Sequence, residues 1–158
     1  MITTKKQLCW EDVRDGQDVP SVTLNLTIQR MVMSAGSNRD FATHHHNTDM
    51  GQADGAPDMH ANADSCLAMW ERVITDWSGP VGRLKKVNFR ITTFNAAGDA
   101  VTVSGKVAKK WQEKGLNLVE LDMKSEHARG VSMQGTAVVA LPSTSNPNRA
   151  PKWTAEAD

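Results

Sequence analysis

ADSCLAMWERVITDWSGP, residues 63–80, is the stretch that decides the fold. Its apolar residues recur at the three- and four-residue spacing of a helix with one buried face. This stripe consists of Ala63, Leu67, Trp70, Ile74 and Trp77, with Cys66 and Val73 beside it. Asn62 or Asp64 can cap the start of the helix, and the Ser-Gly-Pro segment at 78–80 ends it. Because two tryptophans lie in the stripe, we expect a sheet to wrap around the helix and cover them.

The chain after this helix has the alternating pattern and turn signals of β-strands. The pattern predicts four strands, at residues 85–94, 100–111, 116–128 and 131–142. The turn sequences NAAGD and QEKG separate the first three of them. Strands joined by such short turns favour an antiparallel meander.

The chain before the helix predicts a further strand and a short helical turn. In VPSVTLNLTIQ, residues 19–29, one face is apolar and consists of Val22, Leu24, Leu26 and Ile28. In IQRMVMSAG, the helically spaced residues are Met31, Val32 and Ala35, and Gly36 ends the turn. One apolar helix beside an antiparallel sheet indicates the α+β class.

Length and composition indicate a single domain that binds neither nucleic acid nor membranes. A chain of 158 residues can bury a sufficient core; we place the domain at 1–142 and expect residues 143–158 to form a loosely ordered tail. The 18 basic and 18 acidic residues balance, so we expect neither nucleic acid nor membrane as a partner. Cys9 and Cys66 form no disulfide framework, and the first 16 residues lack the apolar core of a signal peptide, so we expect a cytoplasmic protein.

The loop at residues 37–57 carries the candidate chemistry, because it is polar, long and without an apolar period. Asp40 and His45 can place a carboxylate and an imidazole on one side of a cavity, where they would orient water and move a proton. This pair suits water addition to a conjugated double bond. Both residue types also favour loops for structural reasons, and the spacing alone leaves that alternative open.

A metal site is the alternative interpretation of the three consecutive histidines. On extended backbone His44 and His46 would point together and His45 away. With Asp40, Asp49 or His60 they could supply three ligands. Adjacent histidines on a strand are a poor preformed cage, so we expect no metal.

The segment GAPDMHANADS, residues 55–65, leads into the start of the central helix. Free N–H groups there can bind a carbonyl oxygen or a developing oxyanion, and a simple capped loop is the alternative. His60 can be a loop residue, a pocket wall or a further proton-transfer group. The basic cluster at 83–90 indicates a solvated strand face or a binding site for the phosphates of a carrier; its members are Arg83, Lys85, Lys86 and Arg90.

Together these features resemble the MaoC-like acyl dehydratases, the (R)-specific enoyl-CoA hydratase branch of the hotdog fold. That family carries an Asp-x4-His motif on a loop after the first strand and a short helix, and SNRDFATHH matches it with Asp40 and His45. A subgroup associated with bulky substrates such as steroid side chains is more similar still. Its R-D-F-x-x-x-H-H-D signature and G-x-P-D segment resemble RDFATHHHN and GAPDMHAN. The resemblance covers about residues 19–142.

The resemblance implies a fold, a reaction and an assembly. The fold would be a hotdog, an antiparallel sheet around one central helix, in a homodimer or higher oligomer. Asp40 and His45 would add water to a 2-enoyl thioester or remove it, while the N–H of Ala61 or Asn62, with His60 nearby, binds the thioester carbonyl. No cofactor is implied, since coenzyme A carries the substrate. Arg39, Ala42, Thr43 and Asn47 depart from the family's motif, which affects the pocket more than the reaction.

Two other functions remain open at this point. A hotdog acyl-CoA thioesterase would use the same helix start but direct water at the carbonyl, generally with a lone carboxylate. A non-catalytic hotdog subunit of a heteromeric hydratase would need an active partner. The retained Asp40 and His45 favour the hydratase.

Overall fold

The computed structural model describes residues 6–151 and contains a five-stranded antiparallel sheet with one long helix. The strands are β1 (Asp18–Asn25), β2 (Arg83–Ile91), β3 (Ala100–Glu113), β4 (Leu116–His127) and β5 (Gly130–Leu141). The helices are α1 (Ile28–Asn38), α2 (Thr48–Ala53) and α3 (Ala63–Ser78), with single 3-10 turns at Trp10–Asp12 and Thr43–His45. The strand order is β1-β3-β4-β5-β2. The predicted α+β hotdog arrangement and its four strands after α3 are confirmed.

Helix α3 forms the centre of the core, and the sheet packs against its buried face. Trp70 and Ile74 have no exposed surface, and the Trp70 Nε1–H donates to the Ser125 hydroxyl on β4 at 2.7 Å. Tryptophan is buried at low cost only when its N–H finds an acceptor, so this bond ties the helix to the middle of the sheet.

The buried stripe of α3 differs in detail from the predicted one. It consists of Cys66, Met69, Trp70, Val73 and Ile74. Ala63 is exposed, and Leu67 and Trp77 are only half-buried, because the sheet covers one side of the helix. Cys66, which the sequence places beside the predicted stripe, is 1% exposed and packs in the core.

Helix α1 is longer than predicted. It continues through Gly36 to Asn38 and ends where Arg39 adopts a left-handed conformation with φ 55°. A glycine inside a helix costs only about 1 kcal/mol, and here it does not end the helix. Ile28 belongs to α1 and not to the preceding strand, and Val32 is 46% exposed, so neither packs as predicted.

The segment at 37–57 is not an irregular loop throughout, because it contains a 3-10 turn and α2. Asn47 caps α2 by accepting from the Met50 N–H at 3.0 Å. A helix this short has no apolar period, so the sequence pattern did not reveal it. Gly51 lets the helix lie against the following turn, since a Cβ there would be 2.6 Å from the Asp58 carbonyl oxygen.

The described part of the chain ends in a few turns after β5. Ser143 and Thr144 both donate to the Glu11 carboxylate, which lowers the pKa of Glu11. Residues 1–5 and 152–158 lie outside the described range, so the prediction of a loose tail at 143–158 stays a prediction. Among residues 6–151, no helix is long and apolar enough to cross a membrane.

We predict that Ser125→Ala lowers the free energy of unfolding by about 1–3 kcal/mol, because it leaves the buried Trp70 N–H without an acceptor. Urea unfolding followed by tryptophan fluorescence measures this. Ser21→Ala, at an exposed position on β1, is the matched control and should change stability by less than about 0.5 kcal/mol. Equal stabilities for the two variants would contradict this role of the Trp70–Ser125 bond.

Candidate functional site

The candidate site lies where α1, the 3-10 turn and the start of α3 meet. The left-handed Arg39 turns the chain at the end of α1, and the Asp40 N–H donates to the Ala35 carbonyl at 3.0 Å. The turn Thr43–His45 then carries His45 back toward Asp40. The Asp40 Oδ2 lies 3.4 Å from the His45 Nε2, so the predicted pair is brought together.

The Asp40 carboxylate is held in its ionised form. The side-chain amide of Asn62 donates to Asp40 Oδ2 at 2.9 Å, and the Ala42 N–H donates to Oδ1 at 3.3 Å. The Asn62 bond is the main reason that the pKa of Asp40 lies below its usual value, and the Ala42 bond adds to it. Asp40 is therefore an anion at neutral pH and can accept a hydrogen bond from water.

His45 is buried, with 8% of its surface exposed, and its orientation is fixed by one bond. The Nδ1 lies 2.8 Å from the His60 carbonyl oxygen. A carbonyl oxygen only accepts, so we assign the proton to Nδ1. Nε2 therefore faces Asp40 as the nitrogen that can take up a proton.

Three imidazoles meet at this point, and the structure differs here from the sequence-based expectation. His44 and His45 converge, with their Nε2 atoms 3.1 Å apart, while His46 is exposed. The expectation that His44 and His46 point together was wrong because residues 43–45 form a 3-10 turn and not a strand. The possible metal-ligand atoms of His44, His45 and His60 all lie within 4.8 Å of one another.

Two backbone N–H groups at the start of α3, those of Ala61 and Asn62, were predicted to bind a carbonyl oxygen. Only one of them is available. The Ala61 N–H already donates to the Asn95 carbonyl at 2.8 Å, so its predicted role as an oxyanion donor is wrong. Asn62 caps the helix by accepting from the Ser65 N–H at 2.9 Å. Within the part of the chain that the structure describes, the Asn62 N–H has no acceptor, and it remains the candidate.

His60 lies beneath this helix start. Its ring is stacked beside His44 at a centroid distance of 5.0 Å and contacts Phe94 at 4.6 Å. Burial lowers the pKa of His60, so its imidazole is neutral. The sequence offered no signal for Phe94, which reaches the site from the turn after β2.

An apolar groove of about 240 Å³ opens beside the start of α3. It is lined mainly by Leu24, Leu26, Met31, Ala61, Ala68 and Met69. Ala61 lines the groove, and the next residue, Asn62, donates to Asp40. An apolar wall of this kind suits an acyl group.

The basic cluster on β2 does not line this groove. Arg83 donates to the carbonyls of residues 80–82, and Arg90 lines a separate groove of about 1010 Å³ on the outer face of the sheet. Lys86 is exposed and Lys85 half-buried. The predicted phosphate-binding role of the four residues stays a prediction.

Solved structures with this architecture identify the fold. The ChsH1-ChsH2 complex of Mycobacterium tuberculosis contains a chain with 26% identity and a TM-score of 0.74, over 80% of this chain and 97% of that one. The R-hydratase PhaJ1 of Pseudomonas aeruginosa has 16% identity and a TM-score of 0.77, over 87% of each chain. The MaoC-like dehydratase of Rhodospirillum rubrum has 18% identity and a TM-score of 0.73, over 84% and 95% of the two chains. This chain has the fold of the MaoC-like dehydratases and (R)-hydratases.

One curated relative matches about half of this chain. The 3-oxo-4,17-pregnadiene-20-carboxyl-CoA hydratase beta subunit of Mycobacterium tuberculosis is 35% identical over 77 residues, which are 49% of this chain. The match spans 60% of that relative's length. No protein-family model matches the chain. The resemblance inferred from the sequence is thus confirmed for the fold, while the R-D-F signature itself is not tested.

We predict that Asn62→Ser raises the pKa of Asp40 toward that of an ordinary aspartate. Serine keeps a favourable helix cap but removes the amide that donates to Asp40. Carboxyl-carbon NMR titration measures the pKa directly. Asn38→Ser is the control, since the Asn38 amide donates to Asn62 and Ser65 and not to Asp40. An unchanged Asp40 pKa in Asn62→Ser would refute this account of the carboxylate.

Proposed function

We propose that the chain is an enoyl-CoA hydratase or 3-hydroxyacyl-CoA dehydratase, which reversibly adds water to the double bond of a 2-enoyl thioester. The observation that carries the proposal is the ionised Asp40 carboxylate, 3.4 Å from the His45 Nε2 and held by Asn62 at the helix start that also lines an apolar groove. The names of the relatives agree with it, since they are hydratases and dehydratases.

In the hydration direction, Asp40 and His45 together hold one water molecule. The water oxygen bonds to the β-carbon, a proton of the water passes to the pair, and the pair delivers a proton to the α-carbon. Asp40 can accept from the water without first losing a proton, and the His45 Nε2 carries the transferred proton. The thioester oxygen gains negative charge during addition, and the Asn62 N–H at the positive end of α3 stabilises it.

The acyl group is the least defined part of the substrate. The curated relative's name specifies a steroid-derived acyl-CoA. The groove of about 240 Å³ is smaller than the roughly 300–1,000 Å³ of most ligand pockets, which favours a shorter acyl group in the single chain. A panel of short, branched and steroid-like enoyl-CoA esters separates these possibilities.

The Asp40–His45 contact also favours the hydratase over a thioesterase. A thioesterase needs one carboxylate near the carbonyl and has no use for an imidazole that faces that carboxylate. Here the His60 carbonyl orients the His45 ring so that Nε2 faces Asp40. A pair held in this way suits proton transfer from a water at the β-carbon to the α-carbon, and the reverse.

A second candidate is a role as one subunit of a hetero-oligomeric hydratase. The observation that favours it is a set of exposed apolar side chains on α1, α2 and the segment between them: Ile28, Val32, Met33, Phe41 and Met50. Phe41 follows Asp40 directly and is 71% exposed. Exposed apolar residues beside a site indicate a surface that a second subunit covers. One relative is a beta subunit and another comes from a two-protein complex.

We predict that Asp40→Asn and His45→Ala each lower the rate of hydration of crotonyl-CoA, or of a bulkier enoyl-CoA, by about 10²–10⁴-fold. Each removes one of the two groups that move the proton. Loss of the conjugated double bond, followed by ultraviolet absorbance, measures the rate. Asp49→Asn and His46→Ala are the matched controls, because both residues are exposed and lie outside the pair; they should keep the wild-type rate.

Three results would distinguish the alternatives. Unchanged rates in Asp40→Asn and His45→Ala would remove the hydratase assignment. Release of free coenzyme A without hydration would support a thioesterase. Activity that appears only after a second subunit is added would support the hetero-oligomer.

A further inference from the structure

The side chains of His44 and His60 have no role in the proposed hydration, yet both rings lie against the His45 ring. The Nε2 atoms of His44 and His45 are 3.1 Å apart, and the candidate ligand atoms of all three residues lie within 4.8 Å. Which nitrogen of each ring carries the proton decides whether these rings attract or repel one another.

In the first two rings the Nδ1 atom carries the proton. The His44 Nδ1 lies 2.8 Å from the Asp54 carboxylate, and the His45 Nδ1 lies 2.8 Å from the His60 carbonyl oxygen. Both oxygens accept only, so in the neutral rings both Nε2 atoms bear lone pairs. Two lone pairs that face each other at 3.1 Å repel unless a cation lies at this point.

His60 repeats the same arrangement. Its Nδ1 lies 3.4 Å from the Ala61 carbonyl oxygen, while its Nε2 is buried and has no partner among the described residues. A buried polar atom without a partner is rare and calls for a ligand, an ion or a water molecule. In all three rings Nδ1 is therefore directed at an oxygen, and the Nε2 lone pair has no hydrogen-bond donor among the described residues. Metal-binding histidines show this same outer hydrogen bond to a carboxylate or carbonyl.

We propose that His44, His45 and His60 bind one divalent transition-metal ion through their Nε2 atoms, with Zn²⁺ as the fitting probe. Two imidazole nitrogens on a tetrahedral Zn²⁺ are about 3.3 Å apart, close to the 3.1 Å seen between His44 and His45. The Asp40 Oδ2, 3.4 Å from the His45 Nε2, is placed as a fourth ligand. The carboxylates of Asp40 and Asp54 offset the charge of the ion.

Binding requires one adjustment. The His60 ring is now within 9° of parallel to the His44 ring at a centroid distance of 5.0 Å. A metal ion must lie near the plane of each ring that binds it, so the His60 ring must turn about its Cβ–Cγ bond to join the site. This turn gives up the 3.4 Å contact of its Nδ1 with the Ala61 carbonyl, so the outer hydrogen bonds of the site are those of His44 and His45.

The metal ion and the hydration reaction would compete for the same atom. Zn²⁺ on the His45 Nε2 removes the proton acceptor, so the metal-bound chain would not hydrate an enoyl thioester. This consequence rests on the proposed function, whereas the metal site itself does not.

Calorimetric titration of the untagged chain with Zn²⁺ alone, at pH 7.5 and without substrate, tests the site. We expect one Zn²⁺ per chain. His44→Ala and His60→Ala should each weaken binding at least 10-fold, and Asp54→Asn should weaken it by about 10–100-fold through the outer hydrogen bond to His44. His46→Ala, the exposed neighbour of the cluster, should bind as the wild type does. Visible absorbance of the Co²⁺-loaded chain gives a second readout of nitrogen ligation.

Two results would overturn the site. One is no binding of Zn²⁺ at millimolar concentration, which would leave a shared proton between His44 and His45 as the cation. The other is equal binding by His44→Ala and the wild type, which would place the ion elsewhere. Circular dichroism checks the fold of each variant. Because His44 is only half-buried, His44→Ala is less disruptive to the fold than a substitution of the buried His60. Because binding is measured without turnover, a chain that binds Zn²⁺ but hydrates nothing would keep the site and lose the proposed function.

Discussion

The side-chain amide of Asn62 joins the fold to the candidate site. Its oxygen accepts from the Ser65 N–H and so caps α3, while its nitrogen donates to the Asp40 carboxylate at 2.9 Å. Asn62 therefore satisfies an otherwise free backbone N–H in the first turn of the central helix. The same side chain holds in place a carboxylate that lies 22 positions earlier in the chain. The position of Asp40 relative to His45 depends on this helix being buried at its observed depth, and the Trp70–Ser125 bond helps to set that depth.

The sequence was sufficient to predict the elements that rest on periodicity. Helix α3 and the strands after it each bury one face in the core. The apolar repeat of the helix and the alternating pattern of the strands follow directly from that burial. The prediction was wrong where local contacts replace periodicity. Gly36 does not end α1 because the left-handed Arg39 does so, and α2 is too short to show an apolar period. Both differences lie in segments that are largely exposed in the single chain, where burial exerts little constraint on sequence.

The site was only partly predictable for a related reason. The Asp40–His45 spacing is a local feature, and the 3-10 turn at Thr43–His45 brings the two side chains together. The other contacts join segments that are distant in sequence. The Asn95 carbonyl takes up the Ala61 N–H, and the His60 carbonyl orients His45. No pattern in one sequence shows such pairings, because the sheet turn and the helix start meet only after folding.

The same turn changes the interpretation of the three consecutive histidines. On a strand, alternate side chains would converge, but on this turn the adjacent His44 and His45 converge instead, and His60 closes the cluster. The chemistry of the site thus depends on a few backbone angles between Arg39 and His46. It combines an ionised carboxylate, a buried imidazole with a fixed proton and an apolar groove, which together suit proton movement beside an acyl chain.

The most direct measurement of the central claim is a crystal structure of the chain with a bound 3-hydroxyacyl-CoA. We expect the 3-hydroxyl oxygen to lie between the Asp40 carboxylate and the His45 Nε2, with the thioester oxygen at the Asn62 N–H and the acyl chain in the apolar groove at the start of α3. A ligand whose β-carbon lies away from Asp40 and His45, for example in the groove on the outer face of the sheet, would contradict it.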